Sequence, residues 1–155
     1  MRLPSRSGAV LAFALLACLV ASELRAQAAE ALTIRSKNGS HAFSVEVART
    51  DADRTQGLMY RRSMPQDHGM LFNFGEPQPI TMWMKNTYLP LDMVFIRADG
   101  TIARIARNTE PLSTRISPSG EPVPAVLELN AGVTARLGIE PGDRVEHPLF
   151  KPGAR

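Results

Sequence analysis

Gly69-Met70-Leu71-Phe72-Asn73-Phe74, Ile80-Thr81-Met82-Trp83-Met84-Lys85 and Asp92-Met93-Val94-Phe95-Ile96-Arg97 decide the fold. Each stretch is short, apolar and bounded by turn formers, as a β-strand is. Pro77, Pro79 and Pro90 stand between them and cannot donate into a ladder, so three separate strands are expected. Met93-Val94-Phe95-Ile96 is apolar at every position, which predicts a strand buried on both faces.

Toward the N-terminus, Leu32–Ser36 and His41–Ala48 flank Lys37-Asn38-Gly39-Ser40. Asn-Gly between apolar runs is a hairpin signal. Phe43, Val45 and Val47 alternate with Ser44 and Glu46, the pattern of a strand with one wet face. Thr50 then caps a helix expected to run to about Arg61, with Asp51 and Asp53 at its positive end. Gly57 in its interior costs about 1 kcal/mol relative to alanine, which calls for a reason such as close packing against a strand. Toward the C-terminus, Thr101–Arg107 follows an Asp99-Gly100 turn. Asn108–Pro124 is rich in Pro, Ser and Thr and reads as a long ordered loop. Val126–Leu129 is another strand, Asn130 caps a short helix over Ala131–Leu137, and Gly138 closes it. Pro141-Gly142-Asp143 turns into a last strand, Arg144–Leu149. The fold expected is mainly β, a single compact β-sandwich or small β-barrel with two short helices.

The 155 residues, 44% hydrophobic and 21% charged, suit one globular domain rather than a disordered chain. Residues 1–28 read as a secretory signal peptide: Arg2 and Arg6, the apolar run Gly8–Ala21, then Ala26-Gln27-Ala28 as the cleavage site. An alternative is lipidation at Cys18, against which the apolar run continues through Leu19-Val20-Ala21. The domain would then be 29–155, periplasmic or secreted, without cysteine and without stable membrane insertion. Loss of Arg2, Arg6, Arg25 and Glu23 lowers the net charge from +3 to +1, which is no footprint for nucleic acid or an anionic membrane. A monomer is expected.

Four segments together form a longer pattern: Arg54–Arg61, Gly69–Phe72, Met82–Thr87 with Pro90-Leu91-Asp92 behind it, and Val126–Glu128, followed by Gly132 and Gly142-Asp143. Over Thr33 to Phe150 the chain resembles the DUF192 (UPF0127) family of exported domains. Met64 stands where that family often has leucine. The resemblance implies a compact, mainly β domain and names no chemistry.

Candidate site residues follow from strand periodicity. Ile80, Met82 and Met84 share the core side, which turns Thr81, Trp83 and Lys85 the other way. Trp83 suits a ligand platform, and Lys85, Asn86 and Asp92 sit where a loop could gather them at a strand end. Val126, Glu128 and Asn130 share a face, so the Glu128 carboxyl points inward among apolar neighbours, where a partner is expected. Arg54, Leu58 and Arg61 recur on one helix face, and Arg61 could fork onto an anion. The ligand-binding set is therefore Arg61, Trp83, Lys85, Asn86, Asp92 and Glu128. Its ligand would be a small polar or anionic molecule, or an envelope protein would dock there. The competing structural reading pairs Lys85 or Arg61 with Glu128 or Asp92. Two rival functions are an envelope-glycan enzyme using a carboxylate pair from Asp67, Asp92 and Glu128, and a Cu(I) protein using the six methionines between Met59 and Met93. No catalytic nucleophile, cofactor motif or zinc spacing is apparent.

Overall fold

The computed structural model describes residues 28–150. The expected leader, Cys18 included, lies outside the described residues except for Ala28. The elements are β1 (Glu30–Ser36), β2 (Gly39–Ala48), α1 (Asp51–Gln56), β3 (His68–Met82), β4 (Leu91–Ile96), β5 (Ile102–Thr109), β6 (Ser117–Asn130), α2 (Val133–Leu137) and β7 (Arg144–Glu146). All seven strands form one sheet in the order β5-β4-β6-β3-β2-β1-β7. β2 and β3 are parallel, joined by the α1 crossover, and the other pairs are antiparallel.

The two sheet edges meet at one end. Thr101 bridges Arg144, Ile102 N–H donates to the Asp143 carbonyl (2.8 Å) and Val145 N–H to that of Gly100 (2.8 Å). The sheet is thus curled into a half-barrel, which decides between the two architectures expected from the sequence. The curl encloses Leu32, Ile34, Val45, Val94, Leu127 and Ile139. A second apolar cluster lies on the opposite face of β3, β4 and β6. There Met70, Phe72, Met93 and Phe95 are covered by Leu58 and Met84 from the segments beyond α1 and β3. β4 is therefore buried on both faces, as its unbroken apolar run predicts.

Several expected boundaries are corrected. The first two strand candidates are one strand: β3 continues through Pro77 and Pro79, and β6 begins inside the expected loop. Their prolines sit on this paired extension, where register shifts between Asn73 and Gln78 and between Pro79 and Thr81 remove the need for regular donors. α1 stops at Gln56 because Gly57 turns out of the helix (φ 46°, ψ −135°). A Cβ there would meet the Phe72 ring at 3.0 Å, which supplies the close packing the sequence called for. The Thr50 cap is a full capping box with Asp53. The last strand ends at Glu146 rather than Leu149. Among the described residues no helix is long and apolar enough to cross a membrane.

Candidate functional site

α1 and the segment after β3 do not lie flat on the outer face of the sheet. Between them is a cavity of about 500 Å³, walled by Arg54 to Met59, Phe72, Phe74, Thr81 to Trp83, Lys85, Thr87, Ile116 and Glu128, with Asp51 at its edge. Trp83 is 50% exposed at the rim, and the Lys85 ammonium lies 5.3 Å from its ring centroid. Arg54 also reaches the wall, but its guanidinium is engaged by Asp51 and by the carbonyls of Arg49 (2.7 Å) and Asn73 (2.7 Å). It fastens α1 to β3.

Glu128 is the unusual member. In the β6 register it stands opposite Met70 of β3 and Met93 of β4, so its side chain rises from a methionine floor. It is 4% exposed, and no hydrogen bond or ion pair among the described residues engages its carboxyl. Burial alone pushes its pKa up to about 8. At neutral pH the group is therefore mostly a neutral acid, able both to donate and to accept at the cavity wall.

The other expected site residues are placed elsewhere. Arg61 forks onto Glu46 of β2 (2.5 and 2.7 Å), a half-buried pair that holds Glu46 below the usual carboxylate range. Asn86 sits in a left-handed turn (φ 57°), its carbonyl accepts from Tyr60 N–H (2.9 Å), and its amide lies 3.9 Å from Met59 Sδ. Asp92 is fully buried and lines no part of the cavity. It accepts from Asn108 N–H (2.9 Å), Gly132 N–H (3.2 Å), Thr134 N–H (3.0 Å) and the Thr134 hydroxyl (2.7 Å). Asp92, not Asn130, thus caps α2; Asn130 donates to the carbonyls of Met64 and Pro65 (3.0 Å each). Neither Lys85 nor Arg61 pairs with Glu128 or Asp92, so the competing structural reading fails in its particulars.

The register also separates the carboxylates. Met93 stands opposite Glu128 and Asp92 opposite Leu129, so Asp92 and Glu128 leave the sheet on opposite faces. Asp67 is exposed and 2.8 Å from His68 Nδ1. These carboxylates do not converge on one substrate as a glycosidase pair must. Met70, Met84 and Met93 are packed in the second apolar cluster, and the Thr109 hydroxyl donates to Met84 Sδ (3.1 Å). No group of three or more His, Cys, Asp or Glu is placed to hold a metal among the described residues.

The sequence pattern of DUF192, described as "Uncharacterized ACR", matches residues 32–147. The chain belongs to the DUF192 family. Two solved structures are similar to this DUF192 domain. One, from Sinorhizobium meliloti 1021 and described as a candidate transcription regulator, is 54% identical, with a TM-score of 0.78 over 80% of this chain and 97% of that one. The other, a protein of unknown function from Novosphingobium aromaticivorans, is 41% identical, with a TM-score of 0.75 over 77% and 85%. No curated protein matches the chain. The four segments that carry the family pattern all contribute to the cavity: Arg54 to Met59, Phe72, then Met82, Trp83, Lys85 and Thr87, and Glu128. Sequence reasoning missed Phe74, Thr55 and Ile116 as wall residues. Ile116 gave a signal only as an apolar residue inside a Pro/Ser/Thr-rich stretch.

Proposed function

We propose that this is an exported binding domain whose cavity takes a small polar or anionic molecule. The observation that carries the reading is Glu128: buried, without a side-chain partner, and facing a cavity walled by Trp83 and Lys85. The carboxyl opens onto the cavity, so a ligand there can hydrogen-bond a group that the fold leaves without a protein partner. Trp83 offers a flat face to a ring or chain, and Lys85 has no carboxylate partner among the described residues, so its charge is available to an anion. Asp92, Arg61 and Asn86 play structural parts in this reading.

A thermal-shift screen of carboxylates, phosphates and sugars tests it. A ligand at about a hundred times its Kd adds about 2.7 kcal/mol of stability. That shift should shrink in Glu128→Leu and in Lys85→Met. A ligand that stabilises wild type and both variants equally would place the site elsewhere. Export rests on the leader expected over residues 1–28; the N-terminal mass of the protein recovered outside the cytoplasm tests it, and an intact Met1 or an acylated Cys18 would refute cleavage after Ala28.

A further inference from the structure

Five large apolar side chains stand exposed among the described residues: Tyr60, Trp83, Tyr88, Leu112 and Ile116. They come from three segments that the fold ties together. Tyr60 N–H donates to the Asn86 carbonyl (2.9 Å), Leu112 N–H to that of Thr87 (3.0 Å) and Met84 N–H to that of Ser113 (3.0 Å). The Tyr60 and Tyr88 rings meet edge to face at 6.2 Å, and Trp83 and Ile116 share the cavity wall.

Charge is uneven on this face. Residues 58–64, 83–91 and 110–117 carry Arg61, Arg62, Lys85 and Arg115 against Glu110 alone. Arg61 is held by Glu46, whereas Arg62 lies over the Tyr88 ring (5.4 Å) and Lys85 over Trp83 (5.3 Å). No carboxylate pairs with Arg62, Lys85 or Arg115 among the described residues. The backbone holding the patch is costly: Tyr60 (φ 64°), Asn86 (φ 57°) and Leu112 (φ 63°) all occupy the left-handed region without being glycine.

We propose that this face docks on the surface of an anionic lipid bilayer. Tyr and Trp rings with polar tips favour the boundary between headgroups and chains. Leu112 and Ile116 extend the apolar contact, and the unpaired cations meet lipid phosphates. Loop tips with cations interleaved among apolar groups suit a fluid surface that offers phosphate everywhere. The small net charge of the whole chain conceals this local surplus. The docking is peripheral, and it shares Trp83, Lys85 and Ile116 with the rim of the cavity.

Trp83 is the only tryptophan, so its emission reports this face and the cavity rim it shares, and the vesicle assay is run without small-molecule ligands. The test uses the full chain with phosphatidylcholine vesicles, with and without phosphatidylglycerol. Phosphatidylglycerol should shift Trp83 emission to the blue and expose it to quenching by brominated acyl chains, an effect that salt weakens. Arg115→Gln should weaken the response about five-fold. Leu112→Ser and Ile116→Ser should each weaken it roughly tenfold. Trp83 is read rather than pelleting, because the apolar run Gly8–Ala21 partitions by itself. Trp83 remaining in water on a chain that pellets with anionic vesicles would overturn the proposal, as would loop variants that respond like wild type. A blue shift that grows with protein concentration without vesicles would assign the face to a second copy instead. A soluble cavity ligand acts without vesicles, so the two readings fail separately.

Discussion

Glu128→Gln isolates the consequence of burying an unpaired carboxyl. In the unfolded chain the group titrates near its ordinary value of 4.5; in the fold it is pushed up to about 8. The folded state thus holds its proton more tightly than the unfolded state does. The contribution to stability is full below about pH 4.5, declines as pH rises, and is gone above about pH 8. Each pH unit is worth about 1.4 kcal/mol, and the interval spans about three and a half, so wild type loses roughly 5 kcal/mol across it. Glutamine has nearly the same shape and no titration. Its amide brings an extra donor to the wall, so the variant should be equal to or weaker than wild type at pH 5. At pH 9 the comparison should have moved in favour of the variant by roughly 3–5 kcal/mol. Urea denaturation of both proteins between pH 5 and 9 measures the difference, and groups common to both cancel. Parallel stability profiles would show that Glu128 is not held as a neutral acid, and the account of the cavity wall would fall with it.

Asp92→Asn should cost about 3–5 kcal/mol in urea denaturation, since it removes a charged acceptor of four donors and turns an amide toward the Thr134 hydroxyl or N–H. Lys85→Met, which gives up only a contact with Trp83, should cost under about 1 kcal/mol; a similar loss in both variants would refute the assignment of one to the scaffold and the other to the site. His147 gives the opposite pH signature to Glu128. Burial holds its imidazole below the ordinary 6.5, although Glu30 lies 3.3 Å away. Stability is therefore lost as pH falls below about 6.5, and His147→Gln should lose less than wild type between pH 7.5 and 5.5 by thermal unfolding.

Local signals were enough for much of the fold. The first hairpin, the Thr50 cap, the unbroken run of β4 and the apolar face around Glu128 are read from residues a few positions apart, and the structure holds each of them, although the hairpin turns at Lys37-Asn38 and Gly39 already pairs with Ser36. The division at Ile80 to Lys85 holds in part: Ile80 and Met84 are buried while Thr81, Trp83 and Lys85 reach the cavity, but Met82, expected on the core side, lines the cavity too, and β3 ends there. What the sequence alone left open depends on partners far along the chain. The closing bridge from Thr101 to Arg144 turns a sheet into a half-barrel, and nothing near either residue announces it. The prolines of β3 and β6 look like breaks until each strand is seen against the other, because only pairing shows which N–H groups a ladder needs. Asp92 and Glu128 look alike as buried carboxyls of adjacent strands. Register alone sends one to the N-terminus of α2, where three donors from Gly132 and Thr134 and a fourth from Asn108 of β5 satisfy it, and the other through the opposite face to a wall without a partner. Side-chain chemistry is local, but burial and pairing are properties of the assembled sheet, and it is these that separate scaffold from site.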